Sequence, residues 1–321
     1  MQQALYHPEH GYYSSGRCVI GRKGDYFTNV SVGGLFGQLL AAQFTEIWER
    51  LGRPDDFAIV EQGAHDGQFA RDVLESLQKR TPEFFEALRY RIVEPFPFLQ
   101  ELQARTLDSF REKIEWRDSL QPFVGVHFSN ELLDAMPVRL IGGGRERFVG
   151  FECDKFVFVD RSVHDEAKFN QAALDWIDSV AVNLQRGYVI TIDYGCSGGE
   201  FHEKTQVRAQ HRNLDSPFEE IGHADITMGV CWPSIVERAQ ANRLHVAGFT
   251  DQHHFLTGII SESLDLTSEN GAKKKRELQT LLHPEMLGRA FQVLGLAKHI
   301  DPGAPLAGFK FGRERSAVGE S

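Results

Sequence analysis

Cysteine is scarce in this 321-residue chain: Cys18, Cys153, Cys196 and Cys231 stand far apart, and no pair has the spacing of a zinc knuckle or a thiol redox motif. Reduced thiols, no bound metal and a cytoplasmic location are expected. No apolar run approaches the roughly twenty residues of a membrane helix, and the opening MQQALYHPEHGYY lacks the charged-then-apolar order of a secretory signal. Stable membrane insertion is therefore not expected. Basic residues are also outnumbered, 35 Lys and Arg against 45 Asp and Glu for a formal charge of −10. Nucleic-acid binding depends on clustered cations that release counterions from phosphate, so it is not expected either. The one basic run, Lys273 to Arg276, is flanked by Glu269 and Glu277 and reads as a solvated helix face.

What is present suffices for a full core, since 41% of the residues are hydrophobic. After a His-, Gly- and Tyr-rich opening, IGRKGDYFTNVSVGG reads as loop, and Leu35 to Leu51 repeats its apolar residues at helical spacing before Gly52 and Pro54. From Phe57 short apolar runs alternate with helical stretches: FAIVEQG, a helix over 68–79, YRIVEP, a helix over 98–110, KIEW and VGVHFSNE. Such alternation implies right-handed crossovers and a parallel sheet covered by helices. RFVGFE and KFVFVD read as a hairpin, followed by a helix over 171–184 and the buried strand YVITIDYG. Residues 201–226 read as polar loop; beyond them come a helix over 234–241, the strand LHVAGF and a helix over 286–294. The fold expected is α/β: an N-terminal arm and covering helix over 1–52, then one Rossmann-like domain over 53–321 with an inserted hairpin and helices.

In VEQGAHDGQF a strand meets a helix, with Gly63 and Gly67 four residues apart directly after Glu61. Gly63 would let the chain turn sharply, and Gly67 would let the helix start approach a ligand. A dinucleotide enzyme would need Gly-x-Gly-x-x-Gly, but the corresponding positions hold Gly63, His65 and Gln68. S-adenosylmethionine carries a cationic amino-acid end and a sulfonium, which a carboxylate such as Glu61 can orient. Alone, the turn leaves cofactor binding and a plain structural turn both open, and His65 reads more readily as a turn residue than as a catalyst.

Ligands of such sheets lie outside the carboxyl ends of the strands. Glu94 ends YRIVEP at the distance where a carboxylate grips a ribose diol. KIEW closes with Trp116, Arg117 and Asp118, an aromatic surface and one acceptor that would suit adenine, although Trp116 reads equally as packing. VHFSNELLDAMPV ends an apolar run in Asn130 and Glu131, with Asp134 three residues later. Polar groups at a buried strand end need partners. Glu131 with Asp134 could hold a cationic acceptor such as a guanidinium, while Asn130 and Asp134 could instead cap a helix. Asp193, Tyr194 and Gly195 end YVITIDYG and either shape an acceptor pocket or satisfy backbone groups.

Taken together, LYHPEHGYY, GDYFT with LFGQLL, EQGAHDG, the Glu-Pro of VEP, SNELLDAMPV, TIDYG, GHADIT, GFTDQHHFL and HPEMLGRAFQVL occur in the order of the MidA-type S-adenosylmethionine-dependent methyltransferases, which the chain resembles over nearly its whole length. The resemblance implies a seven-stranded class I methyltransferase sheet and S-adenosylmethionine as cofactor. From the mitochondrial members it implies methylation of a protein arginine during assembly of respiratory complex I, and so a protein substrate; a homodimer is left open. It places Glu61, Gly63 and Gly67 at the cofactor, Glu94 on its ribose, and Gly24, Asp25 and Thr28 in an arm covering it; Ala64, His65, Asp118 and Asn130 are expected beside it from their places at the turn and the strand ends. Glu131, Asp134 and Asn130, from the strand end described above, are the expected catalytic set.

The chain departs from the family where Glu-Leu-Gly-Pro-Gly-Arg-Gly becomes Glu61, Gln62, Gly63, Ala64, His65, Asp66, Gly67, and where Thr-Ser-Pro-Glu becomes Thr28, Asn29, Val30, Ser31. Late in the chain, Val-Asp-Phe becomes Val230, Cys231, Trp232. Rival readings are methylation of a small hydroxylated acceptor with His65, Asp193 or His223 as base, a dinucleotide oxidoreductase, and a non-catalytic assembly protein that keeps the fold.

Overall fold

The computed structural model describes residues 1–18, 28–162, 170–196, 205–210, 212–263, 271–300 and 303–312. Its central sheet runs through β1 (Phe57–Gln62), β2 (Leu88–Val93), β3 (Ile114–Arg117), β4 (Phe123–Asn130), β5 (Leu184–Cys196), β6 (His245–Asp251) and β7 (Phe291–Lys298), in the order β6-β7-β5-β4-β1-β2-β3. Strands β1 to β5 pair in parallel, and β7 is antiparallel to both β5 and β6. The short strand Val230–Cys231 pairs with the end of β5. The expected α/β class and class I sheet are thus observed.

A strand buried on both faces needs apolar residues at nearly every position, and β1 shows why. Phe57 and Ile59 enter one core with α1 (Leu35–Arg50) and α2 (Gln68–Arg80), while Ala58 and Val60 enter a second. That second core is closed by α4 (Gln171–Asn183) and α5 (Trp232–Ala241), with α3 (Pro97–Thr106) lying between β2 and β3 in sequence. Leu35, Phe36, Leu39, Leu40, Phe44 and Ile47 of α1 are fully buried, as their spacing requires. Helices α6 (Gln252–Ser263) and α7 (Gly271–Leu282) complete the α1 side. No helix among the described residues is long and apolar enough to cross a membrane.

Three expectations change. Residues 291–298 form strand β7, not the end of a helix over 286–294, after a π turn at Pro284–Gly288. Phe291, Val293, Leu294 and Leu296 are buried on both faces between β5 and β6, and a short apolar run of that kind has no periodicity that separates strand from helix. Residues 201–226 are not all loop: Gln206–Ala209, Arg212–Asn213 and Asp225–Thr227 form a small antiparallel sheet. Its Val207, Ala209 and Ile226 pack on Leu5 and Tyr12 of the N-terminal arm, a long-range partnership invisible in strands this short. Helix α3 ends at Thr106, and a 3₁₀ turn, Asp108–Lys113, takes the chain into β3. The hairpin is present as Arg145–Glu152 and Lys155–Ser162, flanked by Leu140–Gly142.

Candidate active site

Gly63 and Gly67 have φ of +82° and +80°, the left-handed region that favours glycine. A Cβ on Gly67 would also come within 3.2 Å of Leu107, whereas one on Gly63 would make ordinary contact with Leu132. Conformation fixes Gly63; conformation and space both fix Gly67, which starts α2. Behind the turn, the buried Glu61 accepts a 2.6 Å hydrogen bond from the Tyr90 hydroxyl at Oε2. Burial pushes its carboxyl up to about 8 against the pull of that bond. Burial lowers the His65 ring, but the Asp66 carboxylate, 3.8 Å from Nδ1, and the neighbouring Cys18 outweigh this and raise it to about 9. Near neutral pH this favours the protonated ring.

Glu94, one residue past β2, is buried, and its Oε1 accepts from the Phe96 N–H at 3.1 Å. Gln103 Nε2 donates to Glu94 Oε2 at 3.2 Å and to the His65 carbonyl at 3.0 Å, so one α3 side chain ties β2 to the glycine turn. Burial raises the Glu94 carboxyl. The Trp116 indole donates to Gln103 Oε1 at 3.0 Å and braces it, and Trp116 does not line the cavity at these strand ends. Asp118 is exposed at the rim, where Gln100 Nε2 donates to it at 3.3 Å.

At the end of β4, Glu131 holds φ of +53°, a strained value for a residue with a side chain. Its Oε1 accepts from the Asn29 N–H at 3.2 Å and from Asn130 Nδ2 at 2.8 Å. Asn29, fully buried, also donates through Nδ2 to Asn130 Oδ1 at 2.9 Å and accepts from Gln252 Nε2 at 2.8 Å. Burial pushes the Glu131 carboxyl up to about 8. Oε2 of Glu131 accepts no hydrogen bond from the described residues.

The backbone around Glu131 is fixed by Asp193. One of its oxygens accepts from the N–H groups of Leu132, Leu133 and Asp134 at 3.1, 2.8 and 3.3 Å, and the other from the Tyr194 N–H at 2.7 Å. This settles the alternative left open at the end of YVITIDYG: Asp193 satisfies backbone groups. Asp134 is buried outside the cavity wall, and burial together with Asp193, Asp225 and Glu131 pushes its carboxyl well up.

These strand ends border a cavity of about 860 Å³. It brings together Thr28, Glu61, Gly63, Ala64, His65, Glu94, Asp118, Asn130 and Glu131; Gly67 and Asp134 do not line it. Gly24, Asp25, Tyr26 and Phe27 lie outside the described residues. Six carboxylates line the cavity, from Glu61, Asp66, Glu94, Asp118, Glu131 and Asp175, without a Lys or Arg among the described lining residues. That charge suits a cationic ligand and disfavours a phosphate. The His223 side chain does not line it. Sequence reading missed Gln62, Trp176, Tyr6 and Tyr13 in the wall. Gln62 was in view as the residue between Glu61 and Gly63, but Trp176 lies in a helix whose apolar spacing marks it only as core.

The sequence model of a family described as S-adenosyl-L-methionine-dependent methyltransferase matches residues 39–250. The mitochondrial protein arginine methyltransferase NDUFAF7 homolog of Drosophila melanogaster is 27% identical over 376 residues, spanning 96% of this chain and 84% of its own. The mitochondrial protein arginine methyltransferase NDUFAF7 of Homo sapiens is 24% identical, spanning 93% of this chain and 79% of its own. Among solved structures, a Burkholderia thailandensis protein bound to S-adenosyl-homocysteine superposes with a TM-score of 0.85 and 28% identity, covering 97% of this chain and 89% of that one. A native crystal structure from the same organism gives 0.81 and 26%, covering 97% and 88%.

Proposed function

We propose that the methyl acceptor of this chain, which belongs to the family of S-adenosyl-L-methionine-dependent methyltransferases, is an arginine side chain of a protein. The cavity has the size of a cofactor site, and its residues fit this cofactor. Glu61 Oε1 accepts no hydrogen bond from the described residues and is available to the ammonium end. Each Glu94 oxygen holds one donor and has a lone pair left for a ribose hydroxyl. Gly63, Ala64, His65 and Gly67 shape the turn against which it would rest; Thr28, Asp118 and Asn130 would flank it. When bound, S-adenosylmethionine supplies an electrophilic methyl group on a sulfonium.

The observation that carries the acceptor assignment is Glu131. Asn29 and Asn130 fix its Oε1, which leaves Oε2 to take guanidinium N–H groups. Holding two guanidinium nitrogens there localises positive charge away from the third, whose lone pair is then free to attack. After transfer that nitrogen must shed a proton. A bound guanidinium favours the ionised form of Glu131, and the burial that raises this carboxyl to about 8 without a ligand suits it to receive that proton. Asp134, behind the wall, would add negative potential rather than touch the acceptor. Positioning and electrostatics carry the rest, and no enzyme nucleophile is required.

A small hydroxylated acceptor needs a general base, and the three residues the sequence offers for it are poorly suited, which leaves Glu131 as the base for either acceptor. Its neighbours favour the protonated form of His65, Asp193 accepts from four backbone donors, and His223 is exposed away from the cavity. Between the two acceptors, the relatives named as protein arginine methyltransferases point to arginine. The test is transfer of labelled methyl from S-adenosylmethionine into an extract of cells lacking this protein. Label in methylarginine after protein hydrolysis is expected. Label confined to small molecules, or none in any fraction, contradicts the reading.

A further inference from the structure

On the α4 face of β1, three polar side chains are linked beneath the cavity. Trp176 Nε1 donates to Gln62 Oε1 at 3.0 Å, and His127 Nε2 lies 2.9 Å from the same oxygen. An indole N–H can only donate, so the atom it meets must be the amide oxygen and not the amide nitrogen. His127 is fully buried, and burial lowers its pKa to about 3, so the ring is neutral and carries one N–H. Facing an oxygen acceptor, that N–H must be on Nε2. Nδ1 is correspondingly left as a buried lone pair without a partner. Two donors from opposite partners therefore prevent the Gln62 amide from flipping.

The consequence lies on the other side of the amide. Gln62 lines the cavity between Glu61 and Gly63, and its Nε2 donates to no described residue. With the oxygen held, only the NH₂ group can face the ligand. It is a neutral donor in a wall otherwise dominated by carboxylates, and it selects for an acceptor atom where its neighbours select for cationic groups. We propose that Gln62 is a binding residue for S-adenosylmethionine, donating to an acceptor oxygen or ring nitrogen of the cofactor, with His127 and Trp176 as positioning residues that fix which end of the amide is presented. Placement in the glycine turn, between Glu61 and Gly63, assigns this donor to the cofactor rather than to the methyl acceptor.

The inference rests on the proposed seating of the cofactor on the Glu61 to Gly67 turn, and the experiment separates the two. S-adenosylhomocysteine binding is measured by calorimetry on the wild type, Gln62→Glu, Gln62→Leu and Glu94→Gln. Gln62→Glu keeps an oxygen for Trp176 and His127 but turns a second acceptor toward the ligand. It should weaken binding about tenfold or more, the loss of one net hydrogen bond plus repulsion. Gln62→Leu should weaken it severalfold, and neither should alter the acceptor KM at saturating cofactor. If Glu94→Gln weakens binding but Gln62→Glu stays within twofold of wild type, this proposal is overturned and the seating stands. If Glu94→Gln also binds normally, the seating itself fails and the proposal with it.

A wild-type measurement guards against variants that do not fold. In the ¹H–¹⁵N spectrum, one glutamine NH₂ pair should shift downfield on adding S-adenosylhomocysteine, and His127 should show the Nε2–H tautomer unchanged from pH 5 to 8. Absence of any glutamine NH₂ shift, or a titrating His127, overturns the proposal.

Discussion

Replacing Asp193 tests how the strained backbone at Glu131 is held. The fully buried Asp193 carboxylate accepts four backbone N–H groups, three from residues 132–134 and one from Tyr194. In Asp193→Asn the amide oxygen can keep the set of three, but its NH₂ then faces the Tyr194 N–H, donor against donor, stranding the Tyr194 N–H as well as the new NH₂ unless the latter turns toward the pocket. A stranded buried donor costs about 1–3 kcal/mol, so Asn should destabilise by roughly 2 kcal/mol. Asp193→Ala strands all four, and partial solvation keeps the loss to about 4–6 kcal/mol, beyond the range of ordinary substitutions. Urea unfolding of the two variants measures these differences directly. Because the bonds fix Leu132 to Asp134, the Asn variant should also lose acceptor turnover while binding S-adenosylhomocysteine normally. Equal stability of Asn, Ala and wild type, within about 0.5 kcal/mol, the usual span of a neutral surface change, would refute the bracing argument.

Two further predictions concern the same wall. Burial raises Glu61 and Glu131 from 4.5 to about 8, so the folded chain binds more protons than the unfolded one between those values; the ligand-free protein should lose stability as pH rises from 5.5 to 8.5. Urea unfolding at the two ends of that window tests the sign, and a stability that rises with pH would count against buried, unpaired carboxylates. Asn29→Ala removes the side-chain links to Asn130 and Gln252 while leaving its N–H to Glu131. A loss of about 1–3 kcal/mol is expected in denaturant unfolding, with kcat falling more than cofactor affinity; unchanged kcat would show that Asn130 needs no help from the arm.

The parts legible in sequence were those with local causes. Strand β1, the glycines at positive φ and helix α2 follow from residues within about twenty positions, and Glu94, Asn130 and Glu131 were found because strand ends in a parallel sheet face one crevice. What escaped depends on distant partners. Strand β7 looks helical or extended with equal ease until β5 and β6 enclose it. The role of Asp193 exists only because the chain at 132–134 returns to it across some 60 residues. Trp116 was left open between adenine and packing; Gln103, an α3 residue with no special signature, takes its N–H, and Trp116 does not line the cavity. His127 reads as one polar residue in an apolar strand, and nothing in sequence says that it and Trp176 converge on Gln62.

The central claim, that Glu131 holds an arginine acceptor beside the cofactor, is tested most directly by Glu131→Gln. The amide keeps the shape but can neither carry the charge that localises the guanidinium nor receive its proton. With the protein substrate identified from the extract, methylarginine formation should fall by at least about 100-fold, the effect of removing one electrostatic contact in the transition state, while S-adenosylhomocysteine affinity stays within about threefold, too small a change to reflect a lost hydrogen bond. Wild-type turnover by a variant that binds cofactor normally would contradict the account.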